Sequence, residues 1–255
     1  GLLAKASFMM MTDSELGLVK VFNAEGQAPI VLICEHATNF MPASFEDLGL
    51  TKPQLQSHIA WDPGAIETAQ MMAQLLDAPL IAAPVSRLIY DCNRPPESTS
   101  AMPLSSENQP IPGNANLSVV AKQQRVTDYY RPFEAAVAQR VSLMGRPLLI
   151  TVHSFTPVFL GQQRQVEIGV LHDTDSRFAD AFLQQTRLGD DFNIQRNQPY
   201  AATDGVTHTL KHHALSHGLA NVMLEIRNDL IASPAQQQFM AAYLAKHIVL
   251  ALERI

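Results

Sequence analysis

Five short apolar runs alternate with longer segments of helical periodicity, and this alternation limits the possible fold more than any other feature of the 255-residue chain. The runs cover residues 30–35, 79–85, 147–153, 166–171 and 220–226. Strands buried on both faces are continuously apolar, and strands that alternate with helices form a largely parallel sheet covered on both sides. The sequence therefore predicts an α/β fold with three αβα layers around a mostly parallel central sheet.

Capping residues and helix breakers mark the helices between these strands. Asp62 is a potential N-cap ahead of a helix over 66–76, with a proline following it in the first turn. The segment 117–144 begins near a second potential cap, Ser118, and we expect Pro132 to kink or divide it. Further helices are predicted over residues 175–186, 207–216 and 234–252.

The chain is predicted to form one domain over residues 1–255, with residues 1–25 as an N-terminal extension. The longest irregular stretch, 93–116, is rich in proline, serine and asparagine. Strands of the same sheet are predicted on both sides of it, so it is not a domain linker. A loop of this length in a compact domain is usually functional, and we expect it to be an active-site loop.

Composition excludes several classes of protein. Hydrophobic residues make up 47% of the chain, which indicates a globular protein, and the net charge of −6 argues against a nucleic-acid partner. A local basic pocket for a small anionic substrate remains compatible with this charge. No run approaches the roughly 18 apolar residues of a membrane span, and only Cys34 and Cys92 are present. We expect a cytoplasmic location; the sequence indicates no oligomeric state.

Polar residues stand where three of the predicted strands end. His36 follows the first run, His153 ends the third, and Glu225 lies near the end of the fifth. Open α/β sheets bind their ligands at the carboxyl ends of the strands, so these side chains can converge. One histidine alone is more often a structural residue, but two histidines and a carboxylate are a common zinc-binding set. The combination indicates a metal-dependent hydrolase.

The third metal ligand is open at this point. Asp62 is a candidate, although capping a helix explains an aspartate at this position equally well. Glu35 and Asn39 are weaker candidates, and an asparagine is a poor zinc ligand because it is neutral.

Glu225 lies in an otherwise apolar strand, where a carboxylate is costly unless it is paired or functional. Arg227 projects to the same side of a strand and could be its structural partner. The functional alternative is a general base that takes a proton from an attacking water. We predict Glu225 as the catalytic residue.

A second polar group follows the second predicted strand and comprises Arg87, Asp91, Asn93 and Arg94. Arginine makes bidentate contacts with carboxylates, so the group could bind an anionic substrate. It could equally be an arginine–aspartate pair that anchors the long loop. We expect Asp91 to anchor the loop, and we predict Arg87, Asn93, Arg94 and Arg227 as substrate-binding residues.

Other potential catalytic residues are less well supported. His208, His212, His213 and His217 are spaced for shared helix faces, but no glutamate lies between two of them as in the zinc-protease motif. Ser154 lacks the Gly-x-Ser-x-Gly context of a serine hydrolase, and Cys34 lies inside a predicted strand. A nucleophilic hydrolase or transferase that uses Cys34 or Ser154 is therefore a minor alternative.

Several motifs together resemble the N-formylglutamate amidohydrolase family, and they occur in order from about residue 29 to the C-terminal helix. They are Glu35-His36-Ala37-Thr38-Asn39-x-x-Pro42, His58-x-x-x-Asp62-x-Gly64-Ala65, Ser86-Arg87-Leu88-x-x-Asp91-x-Asn93-Arg94, Val152-His153-Ser154-Phe155-Thr156-Pro157, Asn197-x-Pro199-Tyr200 and Glu225-Ile226-Arg227-Asn228-Asp229. This family is similar in fold to zinc carboxypeptidases and zinc-dependent muramoyl amidases. The resemblance implies a zinc-carboxypeptidase-like (phosphorylase/hydrolase-like) fold.

The resemblance also implies an activity, namely hydrolysis of N-formyl-L-glutamate to formate and L-glutamate, as in histidine breakdown. It implies Zn²⁺ or another divalent metal on His36 and His153, Glu225 as the catalytic glutamate, and Asn93 and Arg94 at the substrate carboxylate. The carboxypeptidase His-x-x-Glu is not reproduced, because Asn39 takes the place of the glutamate. We therefore take Asp62 as the third predicted metal ligand beside His36 and His153. The alternatives are a different N-acyl amino acid or peptide-like amide as substrate, and a non-catalytic module that binds an anionic metabolite.

Overall fold

A seven-stranded sheet forms the centre of the computed structural model, which describes residues 18–189 and 191–255. Its strands are β1 (Lys20–Phe22), β2 (Ile30–Cys34), β3 (Leu80–Ala82), β4 (Leu148–Phe155), β5 (Ile168–Leu171), β6 (Ile194–Arg196) and β7 (Asn221–Arg227). They lie in the order β1-β3-β2-β4-β7-β5-β6. Strands β3, β2, β4 and β7 are parallel neighbours, β1 and β5 pair antiparallel to this group, and β6 is parallel to β5.

Seven α-helices and several short elements connect these strands in the described part of the chain. The helices are α1 (Lys52–Gln56), α2 (Ala65–Leu76), α3 (Val119–Arg125), α4 (Arg131–Met144), α5 (Arg177–Thr186), α6 (His208–His213) and α7 (Pro234–Leu252). Short 3₁₀ segments cover Ala43–Gly49, Pro112–Asn114, Ala202–Asp204, Leu215–His217 and Asn228–Ile231. Two small hairpins pair Ser105–Ser106 with Gln109–Pro110, and Val158–Phe159 with Gln162–Gln163.

The two faces of the sheet are covered by different helices, as β2 shows. Ile30, Leu32 and Cys34 project into a core that includes residues of α2, α5 and α7. Val31 and Ile33 project to the opposite side, into a second core with residues of α4 and α6. Alternating side chains of one buried strand therefore serve both cores, which confirms the predicted three-layer α/β fold.

All five predicted strands are present, and two others were not predicted. The additional strands, β1 and β6, are three residues long and lie at the two edges of the sheet. With three residues each, of sequence Lys-Val-Phe and Ile-Gln-Arg, they are too short to form a recognisable apolar run. Lys20–Phe22, which lies within the predicted N-terminal extension over 1–25, pairs with β3 at the edge of the sheet. Residues 1–17 of that extension lie outside the described residues.

The predicted break in the 117–144 segment is a change of helical register. Ser118 caps α3, since its hydroxyl accepts a hydrogen bond from the Ala121 N–H at 3.0 Å. A π-helical turn, Val126–Tyr130, then joins α3 directly to α4. Pro132 lies in the first turn of α4 and has no N–H to donate. The proline therefore coincides with a wider turn in a continuous helical segment.

The start of α2 differs from the prediction. Gly64 occupies the N-cap position with φ +80°, and no side chain caps the helix. The capping explanation for Asp62 is therefore wrong, and its carboxylate is directed elsewhere. A Cβ atom on Gly64 would lie 2.4 Å from the Ile231 carbonyl oxygen, so this close backbone approach requires glycine.

Replacing Gly64 by alanine is expected to destabilise the protein by about 3 kcal/mol, as left-handed strain and overpacking add together. Urea unfolding of the variant measures this loss. Gly205→Ala is the matched control, because Gly205 has φ +74° but open space around its Cβ position. We expect the control to lose only the strain, about 1 kcal/mol. Equal losses in both variants would contradict the packing argument.

None of the helices in the described part of the chain combines the length and the apolar character that crossing a lipid bilayer requires.

Candidate active site

The site lies at the carboxyl ends of the central parallel strands. His36 follows β2 by two residues, and His153 lies in the neighbouring strand β4. Glu225 of β7 is the register partner of His153. These three residues and Asp62 are each less than 5% exposed. The structure therefore brings the two predicted histidines, Asp62 and the predicted base to one buried place.

Two histidines and one aspartate converge on a common point. The Nδ1 atom of His153 lies 3.0 Å from Asp62 Oδ2 and 3.2 Å from His36 Nδ1. His36 Nδ1 lies 3.4 Å from the same carboxylate oxygen. Among residues 18–189 and 191–255, this is the one group of three or more potential ligands that is close enough to hold a metal ion.

Asp62 is held in this position by its own backbone and by β4. Its N–H donates to the His36 carbonyl oxygen at 3.0 Å, which ties the turn before α2 to the end of β2. The Ser154 N–H donates to Asp62 Oδ2 at 3.1 Å. The aspartate is therefore fixed between the two strands that carry the histidines.

Each histidine has a carboxylate near its second ring nitrogen. His36 Nε2 is hydrogen-bonded to Asp91 Oδ1 at 2.7 Å. His153 Nε2 lies 3.2 Å from Glu35 Oε1, although the alignment there is not that of a hydrogen bond. A proton on each Nε2 leaves the Nδ1 lone pair directed at the common point, which is the usual arrangement of metal-binding histidines.

The electrostatics of the group are those of a site for positive charge. Burial alone would raise the pKa of Asp62, but the adjacent His36 and His153 rings hold it well below its usual range. Burial would likewise lower the pKa of His153, but the carboxylates of Glu35, Asp62 and Glu225 raise it well above that of an ordinary histidine. The surroundings therefore favour a cation between these three side chains.

The donor set fits a divalent metal. Two imidazole nitrogens and one carboxylate oxygen match the ligands of many catalytic zinc sites, which leave a further position for water or substrate. Without a proton or a cation, the Nδ1 lone pairs and the Asp62 carboxylate would repel one another at about 3 Å. His36, Asp62 and His153 are thus the residues that would hold such an ion.

Glu225 is a buried carboxylate of the site with an oxygen that has no hydrogen-bond partner among the described residues. Its Oε2 atom accepts no hydrogen bond. Burial raises its pKa to about 8, although the nearby His153 opposes this shift. The suggested structural pair with Arg227 is wrong, because Arg227 binds Asp229 at 2.7 Å. A carboxylate with a raised pKa beside a candidate metal site has the properties of a general base or acid.

These groups open into a cavity of about 250 Å³. Glu225, His153 and His36 lie in its wall. The other polar lining residues are Asp62, His58, Arg87, Asn93, Arg94, Ser106, Glu107, Ser154, Thr156 and Tyr200. Apolar surface comes from Ile59, Phe155, Phe159, Val206 and Met223. A concave wall in which many polar groups converge suits a small polar or charged molecule.

The guanidinium groups of the predicted substrate-binding residues Arg87 and Arg94 already contact other groups of the protein. Arg87 lies 3.5 Å from Asp62 and 3.3 Å from Asp91, so it neutralises the carboxylates around His36. The Arg94 guanidinium donates to the Ser100 hydroxyl and to the Asn93 carbonyl oxygen, and it also lines the cavity. Asp91 thus anchors this segment as expected.

Two other predicted substrate-binding residues have structural partners. The Asn93 amide donates to the Val206 carbonyl oxygen and accepts from the Thr209 N–H, so it fixes the segment before α6. Arg227 is bound to Asp229 and is absent from the cavity lining. The structure therefore does not bring Arg227 to the cavity, and its substrate-binding role has no support in this geometry.

His58, Glu107 and Tyr200 line the cavity but were not among the predicted site residues. His58 and Glu107 meet across the cavity; His58 is part of a motif already noted, and Glu107 lies in the predicted active-site loop. Tyr200 follows Asn197 and Pro199 in a motif already noted. Gly169 allows its placement, because a Cβ atom there would lie 1.8 Å from the Gln198 carbonyl oxygen.

The nucleophile alternatives receive no support. Cys34 is fully buried inside β2 and is not part of the cavity wall, and burial raises the pKa of its thiol. Ser154 lines the cavity, but its hydroxyl donates to the Pro63 carbonyl oxygen at 2.8 Å rather than to a histidine. His208, His212, His213 and His217 are all absent from the wall of this cavity.

Comparison with known proteins extends these observations. The family model described as N-formylglutamate amidohydrolase matches residues 28–232. The solved structure of a gene product from Agrobacterium tumefaciens is 45% identical, with 96% of this chain and 98% of that chain covered at a TM-score of 0.93. An N-formylglutamate amidohydrolase from Ralstonia eutropha has the same fold, at 18% identity and a TM-score of 0.63 over 93% of this chain and 96% of that one. No curated protein sequence matches.

Proposed function

Because this chain belongs to the N-formylglutamate amidohydrolase family, we propose that it hydrolyses the amide bond of an N-acyl amino acid in a metal-dependent reaction. The substrate we propose first is N-formyl-L-glutamate, which would give formate and L-glutamate. The observation that carries the proposal is the convergence of His36, Asp62 and His153 beside the unpaired Glu225. A protein that only binds a metabolite has no need of a buried base.

The proposed ion is Zn²⁺ or another divalent metal held by His36, Asp62 and His153. When bound, such an ion polarises a carbonyl group and lowers the pKa of a water molecule. Asp91 orients His36 through the 2.7 Å contact at Nε2, and Arg87 limits the negative charge around this ring. These residues keep the ligand atoms in place before substrate arrives.

Glu225 moves the proton in the proposed reaction. As the carboxylate, it takes a proton from the attacking water while oxygen adds to the amide carbon. As the carboxylic acid, it returns that proton to the leaving nitrogen when the carbon–nitrogen bond breaks. A pKa raised by burial suits both steps, because neither protonation state is strongly preferred near neutral pH.

The first experiment measures formate release from N-formyl-L-glutamate by the purified protein, before and after chelation and after restoration of zinc. Turnover that is lost on chelation and recovered with zinc supports the reaction and the metal together. No turnover with zinc bound stoichiometrically would exclude this substrate and direct the search to other N-acyl amino acids. No turnover and no bound metal would contradict the proposal and favour a metabolite-binding module.

Arg94 is proposed to bind a carboxylate of the substrate. Arg94→Ala is expected to raise KM about 10-fold or more, since a hydrogen bond between charged groups is lost, and to change kcat less. Steady-state kinetics of formate release measures both constants. Arg196→Ala is the matched control, because Arg196 pairs with Asp180 on the surface and is not part of the cavity wall. An unchanged KM in the Arg94 variant would remove it from substrate binding.

A further inference from the structure

His58 and Glu107 form a contact within the cavity that the proposed chemistry does not use. The Nε2 atom of His58 meets the Oε2 atom of Glu107, and both residues line the cavity. The His58 side chain is 37% exposed and the Glu107 side chain is 17% exposed. The ring of His58 is therefore already bound to a carboxylate that the protein itself supplies.

We propose that His58 receives the side-chain carboxylate of the substrate and that Glu107 is the internal carboxylate which the substrate displaces. The inference rests on the proposed function, because it assigns a residue to the glutamyl side chain of N-formylglutamate. Glu107 ends in the same group as that side chain. The contact it makes with His58 is therefore one that the substrate carboxylate can replace, so that His58 stays paired with a carboxylate.

The two arginines of the cavity do not both remain available for the side-chain carboxylate of the substrate. In the described part of the chain, the basic residues in the wall are Arg87 and Arg94, apart from the histidines. Arg87 already faces two carboxylates, Asp62 and Asp91. Arg94 is the group proposed for one substrate carboxylate, and a substrate with two carboxylates needs a second one. His58 is the remaining polar donor that already faces a carboxylate in the cavity.

The local backbone allows Glu107 to leave His58 while the loop stays in place. Glu107 and Asn108 form the tip of the small hairpin Ser105–Pro110, with φ angles of +48° and +64°. A separate hydrogen bond of 3.2 Å, from Gln54 Nε2 to Gln109 Oε1, ties the same hairpin to α1. Rotation of one side chain at the tip therefore exposes His58 without release of the hairpin.

The test compares kcat/KM for N-formyl-L-glutamate and for N-formyl-L-glutamine, an isostere that keeps the α-carboxylate but has a neutral side chain. The measured quantity is the ratio of the two values in wild type, His58→Gln and Glu107→Gln. We expect the ratio to fall about tenfold or more in His58→Gln, because a charge-assisted hydrogen bond is lost. In Glu107→Gln we expect it to rise several-fold, because the competing charge is gone. Gln109→Ala loosens the hairpin from outside the cavity and should keep the wild-type ratio.

Opposite shifts in the two variants support the inference, since a contact that merely closes the hairpin would affect both substrates alike. Ratios equal to wild type in both variants, or a fall in both, would overturn it. A ratio that falls as much in Gln109→Ala as in His58→Gln would also overturn the inference, because the position of the hairpin would then explain the loss. If the wild-type protein hydrolyses neither substrate, N-formyl-L-glutamate is excluded as the substrate and the inference is overturned with it, whether or not another N-acyl amino acid is hydrolysed.

Discussion

Glu225→Gln is expected to lower kcat for formate release by about 10²–10⁴-fold while the bound zinc stays stoichiometric. Glutamine keeps the size of the side chain but cannot exchange a proton at the amide nitrogen. Steady-state kinetics and elemental analysis of the same preparation measure the two quantities. Glu253→Gln is the control, because Glu253 is exposed at the end of α7 and should retain full activity. Full activity of the Glu225 variant would exclude the general-base role.

The pH profile provides a second measurement on the same group. Burial raises the pKa of Glu225 from its usual 4.5 to about 8, and the nearby His153 acts against this shift. A bound cation would lower the pKa further from that value. The base must be deprotonated to act, so kcat/KM should fall as the pH decreases. The midpoint of this acidic limb of the pH profile should lie between pH 4.5 and pH 8. The residual activity of Glu225→Gln should not show this fall with decreasing pH. If the fall persists in the variant, the titrating group is a residue other than Glu225.

Asp62→Asn is expected to remove most of the zinc affinity and with it the activity. The substitution keeps the shape of the side chain but replaces an anionic ligand by a neutral one. Asp91→Asn is the graded comparison, since loss of the partner of a histidine ligand costs about 10–100-fold in metal affinity. We expect the Asp62 variant to lose more than that. Competition with a chromophoric chelator measures both affinities independently of turnover, and undiminished affinity in Asp62→Asn would eliminate it as a ligand.

The interior of the sheet was predictable because burial on both faces leaves a direct signal. Strands β2, β4 and β7 are continuous apolar runs, so their ends and the residues there could be placed before the structure was known. The edge strands β1 and β6 were not predictable, since three residues are too few to show an apolar run or an alternating pattern. The parallel order of β2, β4 and β7 explains why His36, His153 and Glu225 meet.

The parts of the site built from turns and loops could not be derived in this way. The role of Asp62 depends on the positive φ of Gly64, which takes over the N-cap position and leaves the carboxylate free. The contact between His58 and Glu107 joins residues 49 positions apart, through a hairpin that periodicity does not reveal. The ion pair of Arg227 was equally hidden, because its partner Asp229 lies beyond the end of the strand.

The wide separation of the three proposed ligands along the chain has a consequence for folding. Asp62 lies 26 residues from His36 and 91 residues from His153 along the chain, so the ligand atoms can meet only after β2 and β4 have paired. An ion bound there would therefore discriminate strongly between the native chain and the unfolded one. By mass action, zinc at 100 times its dissociation constant would add about 2.7 kcal/mol to the unfolding free energy. The thermal midpoint would then report the metal supply of the cell in which the protein is made.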